Sequence, residues 1–136
     1  VRGDFHLTPT HATDDPAEIG QVDFVLFTVK LWDVETAGAA LKPLLDSHTA
    51  VVTLQNGVDA PERLAGVIGA DYVMGGVAVI NAAIAGPGRT AQLGAYHRLT
   101  SGDMAAGPHA RGPALPRAGG RRRPACVRRR RASAPA

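Results

Sequence analysis

"VDFVLFTVKLWDVETAGAALKPLL", residues 22–45, contains the two patterns from which the fold follows. From Val22 to Val29 the run is apolar except for Asp23 and Thr28. A run of that length suits a strand buried on both faces, as in a parallel sheet. After Lys30-Leu31-Trp32 the period changes. Val34, Ala37, Leu41, Leu44 and Leu45 fall on one stripe of a helix, Asp33 stands where an N-cap is wanted, and Pro43 should kink or stop the helix. Trp32 is expected to pack this helix against the sheet.

The same pair of patterns recurs in "AVVTLQNGVDAPERL", residues 50–64. A second buried strand, Ala50 to Leu54, gives way to Gln55-Asn56-Gly57. A short helix is then expected from Ala60 to about Val67, ending near Gly69. Asp59 would be its N-cap, with Pro61 in its first turn and Glu62 closing a capping box. A third strand is expected from Tyr72 to Ile80, then the turn Gly86-Pro87-Gly88 and a fourth strand at about Thr90 to Leu93. This alternation of strand and helix belongs to the α/β class, with a parallel sheet and flanking helices.

In such sheets ligands bind beyond the carboxyl ends of the strands, and right-handed crossovers bring consecutive ends to one rim. Lys30 follows the first strand and Asn56 the second, so two polar groups distant in sequence are expected to converge. Singly, each is ordinary: a solvated strand-end lysine, and an Asn-Gly turn. Their joint placement is what marks a candidate site. An asparagine offers both a donor and an acceptor, and Gly57 permits a tight turn close to a ligand.

The net charge of +3 averages two unlike segments. Residues 1–100 carry six basic and eleven acidic side chains, whereas residues 101–136 carry nine arginines and one acid, Asp103. Of those last 36 residues, 28 are Ala, Gly, Pro or Arg, too little apolar surface to offset chain entropy. The chain therefore reads as a domain over 1–100 and a disordered basic tail over 101–136. Arg121–Arg123 and Arg128–Arg131 would bind phosphates without regard to sequence. No aromatic residue is interleaved with them, so base stacking is excluded and no specific nucleic acid is expected.

The five histidines lack metal-ligand spacing, so no metal is expected. Cys126, the single cysteine, cannot form an internal disulfide, which suits a reducing cytoplasm. The first residues do not read as a secretory signal, and no run approaches the roughly 20 apolar residues of a membrane span.

Three stretches taken together, "VDFVLFTVKLWDVETAGAALKPLL", "AVVTLQNGVDAPERL" and "VMGGVAVINAAIAGPG", resemble in order and spacing the ketopantoate reductase family (2-dehydropantoate 2-reductase). The resemblance covers roughly residues 3–100 and implies a partial Rossmann-type domain. The family reduces ketopantoate to pantoate with NADPH, in pantothenate biosynthesis. By that resemblance Lys30, Asn56 and, after the third strand, Asn81 border the cofactor, and Asn56 also faces the keto acid.

The family's Gly-rich phosphate loop, expected before this segment, is missing from the sequence. Its general-acid lysine belongs to a second, helical domain, and residues 101–136 contain no lysine. No catalytic residue is therefore assigned, and the chain alone is expected to be inactive. Two alternatives stay open: a fragment of a related NAD(P)-dependent 2-keto acid reductase, and a non-enzymatic protein whose arginine-rich tail binds nucleic acid. The oligomeric state is left open too.

The tail composition is what out-of-frame reading of GC-rich DNA favours. A frame shift near residues 101–110 is expected to show as apolar helical sequence, with an asparagine-bearing helix, in another frame of the gene. Translating the other two frames checks this, and finding no such sequence in either rejects it.

Overall fold

In the computed structural model, which describes residues 6–104 and 124–125, the run at 22–29 yields a shorter strand than expected. Strand β1 spans Phe24–Phe27, with Val25 and Phe27 buried and Leu26 38% exposed. The expectation of burial on both faces is corrected. Helices cover the face holding Val25 and Phe27, while the opposite face is only partly covered at Leu26. Alternating exposure is the result.

Strand β2, Ala50–Thr53, pairs with β1 in parallel, with Phe24 opposite Ala50 and Phe27 opposite Thr53. Strand β3, Val73–Gly86, adds a parallel neighbour through Val73–Gly75, opposite Val51–Thr53. Strand β4, Arg89–Asp103, then returns antiparallel along β3. A connection as short as Pro87-Gly88 cannot cross over to a parallel position, so it forces this reversal. Strand β5, Pro124–Ala125, lies parallel to Phe24–Val25 and completes the order β4-β3-β2-β1-β5. The architecture is therefore α/β, a mixed sheet with a parallel core and flanking helices. Apart from β5 and the end of β4, the expected disordered tail lies outside the described residues.

β3 and β4 both run longer than their local patterns suggested. β3 was expected to stop at Ile80 and β4 to cover only about 90–93. Mutual pairing carries them much further, with register shifts at Ile80/Ala82 and Ile84/Gly86. From Val77 to Ala85 every residue of β3 is exposed, so the two strands form a ribbon that leaves the core behind.

The first helix is interrupted. A 3-10 turn at Leu31–Asp33 leads into helix α1, Val34–Ala39, and Pro43 sits in a second 3-10 turn at Lys42–Leu44. Proline has no N–H to donate back into a helix, which explains the break. Asp33 makes no side-chain capping hydrogen bond. Helix α2, Ala60–Ile68, buries Ala60, Leu64 and Ile68 at helical spacing and ends at Gly69.

The expected capping box is not formed, because Asp59 has helical dihedrals (φ −94°, ψ −14°) rather than the extended ones that aim a cap at the helix. One Asp59 carboxylate oxygen instead lies 3.6 Å from Arg63. Arg63 also reaches Glu35 with two hydrogen bonds, of 2.6 and 2.8 Å, joining α2 to α1.

Between helices and sheet lies a core that includes Val25, Phe27, Val34, Leu41, Leu44, Val51, Leu64 and Val73. A fully buried leucine such as Leu44 or Leu64 contributes about 1.5–3 kcal/mol. Thr49, also fully buried, is satisfied: its hydroxyl donates to the Val22 carbonyl at 2.6 Å and accepts from Asp46 N–H at 2.8 Å. Trp32 is not part of this core. It is 74% exposed, so the expected packing of its ring against the sheet is corrected. The 3-10 turn rotates it off the stripe that α1 buries.

Two outcomes are expected. The Arg63 guanidinium holds the Glu35 carboxyl below its ordinary range. A carboxylate shifted that way stabilises the fold above its unfolded pKa, and the contribution is lost as pH falls through the folded value. Glu35→Gln should therefore lower the melting temperature at neutral pH, with the gap to wild type closing under acid. Asp46 is held low as well, first by the His48 N–H, but it titrates in both proteins and cancels from the difference.

Gly76 lies against β2, and a Cβ there would stand 2.5 Å from Val52 Cγ1 and 2.8 Å from the Thr53 carbonyl. Gly76→Ala should cost about 1–3 kcal/mol, read as a lower urea midpoint with unchanged m-value.

Candidate functional site

The carboxyl ends of β1 and β2 lie side by side, because their parallel register pairs Phe27 with Thr53. The backbone ladder continues one step further, with Leu54 N–H donating to the Phe27 carbonyl at 3.1 Å. Beyond it the two chains part. β1 passes through Val29 and Lys30 into the 3-10 turn, and β2 passes through Gln55-Asn56-Gly57 towards α2.

One side chain spans the parting. Gln55 Nε2 donates to the Phe27 carbonyl at 2.9 Å and to the Val29 carbonyl at 3.1 Å. The residue before Asn56 is thus bonded to the residue before Lys30. Of the amide pair Gln55-Asn56, only Asn56 carries an expected role from the sequence. The available signal was a two-donor side chain at the point where a parallel ladder runs out.

Packing reinforces this link. Gly57 has φ +103°, a value strained for any residue with a Cβ, and a Cβ at that position would lie 3.8 Å from Leu31 Cδ2. The loop after β2 therefore runs against the loop after β1.

Lys30 and Asn56 are both exposed on this shared rim, and neither side chain is hydrogen-bonded or ion-paired among the described residues. The structure brings these two expected site residues together. It does not bring Asn81 with them. Because β3 continues to Gly86, Asn81 is not the residue after a strand but an exposed residue within one, beside the register shift at Ile80/Ala82. It follows Gly75 by about 20 Å of extended chain.

A cleft of about 360 Å³ opens on the β3 side of the same rim. Thr53 and Gln55 line it from β2 and its exit, Gly57, Val58, Ala60 and Pro61 contribute from the approach to α2 and its first turn, and Gly75 to Val77 and Thr100 to Gly102 close the far wall. Asn56 lies between two lining residues without being one, and Lys30 stands on the β1 side, outside the cleft. Val58, 92% exposed, and Trp32 leave apolar surface beside the two polar groups.

Among the described residues this rim offers a free cation, a free amide and a close-approach glycine. Among the described residues no group of three His, Cys, Asp or Glu could hold a metal ion, and no helix is long and apolar enough to cross a membrane.

The ketopantoate reductase PanE/ApbA family model matches residues 1–106. A 2-dehydropantoate 2-reductase of Caulobacter vibrioides is 34% identical over 90 residues, covering 66% of this chain and 31% of that protein. The crystal structure of 2-dehydropantoate 2-reductase from Geobacter metallireducens is similar at 36% identity and a TM-score of 0.65, covering 74% of this chain and 33% of that one. Its counterpart from Porphyromonas gingivalis is similar at 30% identity and a TM-score of 0.70, covering 80% and 38%. The chain thus spans about a third of the length of these relatives. With strand order, rim geometry and family model in agreement over the same residues, the chain belongs to the ketopantoate reductase family.

Proposed function

We propose that this chain is the central part of the nucleotide-binding domain of an NADPH-dependent 2-dehydropantoate 2-reductase, which reduces ketopantoate to pantoate in the cytoplasm. The observation that carries the reading is the pairing of Lys30 and Asn56 on one rim, both exposed and unpartnered among the described residues.

The residues fit part of such a cofactor. An ammonium group with no internal ion pair suits a phosphate or ribose oxygen, and Lys30 supplies it. The Asn56 carboxamide can donate and accept at once, which suits orienting a nicotinamide amide or a keto acid. Gly57 lets the backbone come close to either. When bound, NADPH supplies the hydride that reduces the keto carbon. Lys30 and Asn56 hold and orient, a contribution that comes from fixing geometry rather than from moving protons.

By the family resemblance the general acid is a lysine of a second, helical domain. Lysine occurs only at positions 30 and 42. Lys42 lies in the 3-10 turn between α1 and β2, at the entry end of the strands and away from the rim. With Lys30 assigned to holding the cofactor and Lys42 away from the rim, the chain alone is expected to bind cofactor weakly and to turn over no ketopantoate.

Trp32, the single tryptophan, is exposed two residues after Lys30 and serves as the probe. Titrating NADPH should quench its emission by energy transfer to the reduced nicotinamide. Lys30→Ala should weaken binding about fivefold, on the order of 1 kcal/mol. Absence of any saturable quenching in the wild-type chain rejects the cofactor reading. NADPH oxidation above background when ketopantoate is added rejects the inactivity.

A further inference from the structure

We infer that Gln55 is a positioning residue, a side-chain splint that fixes the spacing between the Lys30 loop and the Asn56 loop without itself holding a ligand. For the cofactor, the consequence rests on the roles proposed above for Lys30 and Asn56.

The geometry calls for an amide. The last backbone bond of the β1–β2 ladder runs from Leu54 N–H to the Phe27 carbonyl, 3.1 Å. A further backbone bond would have to reach the Val29 carbonyl, but the chains have begun to diverge. Gln55 Nε2 reaches that carbonyl at 3.1 Å and shares the Phe27 carbonyl at 2.9 Å. Both acceptors are carbonyl oxygens, so only the NH2 end of the amide can face them, and its two protons match two acceptors.

Oε1, at the other end, is buried with no hydrogen-bond partner among the described residues. A buried polar atom without a partner is unfavourable, and the arrangement tolerates it because both donors are used. Met has no donor, and a carboxylate would present oxygen to two carbonyls. Asn keeps the donors but is one methylene shorter. Of the side chains of this length, glutamine alone bridges the gap.

The splint joins loops, not elements. Val29 immediately precedes Lys30, and Gln55 immediately precedes Asn56, so each bonded residue sits one peptide from a candidate site residue. Asn56 follows Gln55 at the backbone level, and Lys30 leads the 3-10 turn whose Asp33 N–H returns to the Lys30 carbonyl at 2.9 Å. Release of the amide would free both loops while the ladder below, Phe24–Phe27 on Ala50–Thr53, keeps its own bonds.

The test uses the 136-residue chain, isotope-labelled, with Gln55→Glu and Gln55→Met. Both variants should keep the β1–β2 ladder. In Gln55→Met the backbone amides of Lys30 and Asn56 should both shift, and exchange at Lys30–Asp33 should quicken about tenfold, as expected for local opening. In Gln55→Glu the same two resonances should move together through one carboxyl titration. They should approach wild type at the acid end, where the protonated acid can donate once, and diverge where the carboxylate repels the carbonyls. Lys30, Asp33 and Asp59 are the charged groups on the two loops, and any pH dependence also seen in Gln55→Met is subtracted.

Wild-type shifts and exchange in Gln55→Met, or a titration felt at Asn56 and not at Lys30, would overturn the inference. If neither variant folds, the Gln55 side-chain NH2 of the wild-type chain decides. Exchange about tenfold slower than at the exposed Asn81 side-chain amide, which has no hydrogen bond among the described residues, supports the splint, and equal exchange overturns it. No nucleotide enters these measurements. A chain that shows the splint but binds no NADPH fails the cofactor reading and keeps this one.

Discussion

Parallel pairing of β1 with β2 is the constraint on which the rest depends. Two parallel strands cannot be joined by a tight turn, so the chain between Phe27 and Ala50 must travel back along the sheet. That return is made by α1 and its flanking 3-10 turns, and it is stable only because Val34, Leu41 and Leu44 bury themselves against Val25, Phe27 and Val51. The same demand recurs between Thr53 and Val73, where α2 returns the chain and Leu64 joins the same core. Because β1, β2 and the start of β3 run one way, their exits share a rim.

The rim is where hydrogen bonding stops being automatic. Up to Leu54 the β1–β2 ladder is bonded backbone to backbone; past it the loops diverge and side chains take over. Gln55 points inward to satisfy Phe27 and Val29, which leaves its neighbour Asn56 facing solvent. The division of labour follows from position. Of two adjacent amides at a strand exit, one completes the strand and the other is available to a ligand. Gly57 is needed because the chain must turn immediately with a positive φ, close to Leu31.

The β3–β4 ribbon has a different physical character. It is held by long antiparallel pairing, yet Val77, Val79, Ile80 and Ile84 are exposed along it, Ile84 at 86%. Backbone hydrogen bonds rather than side-chain burial carry its length. This explains why a reading based on apolar periodicity ended both strands early, and why Asn81 was placed after a strand when it lies within one.

Much was legible in the residues alone. The run at 22–29, the stripe from Val34 to Leu45 and their repetition after Ala50 determine an α/β unit with strand exits at Lys30 and Asn56, because burial periodicity is local information. Capping was not legible: Asp33 and Asp59 have the right chemistry but make no side-chain cap, and the dihedrals that decide this are set by packing. Nor was the exposure of Trp32, which depends on a 3-10 turn rather than on residue type.

The sequence by itself determined which elements form, which family the chain resembles and which polar residues end its strands. Only the tertiary structure decided that Lys30 and Asn56 share a rim while Asn81 does not, and that Gln55 ties the two loops together. The reason is physical: a hydrogen bond across 26 residues of chain exists only once both strands are paired.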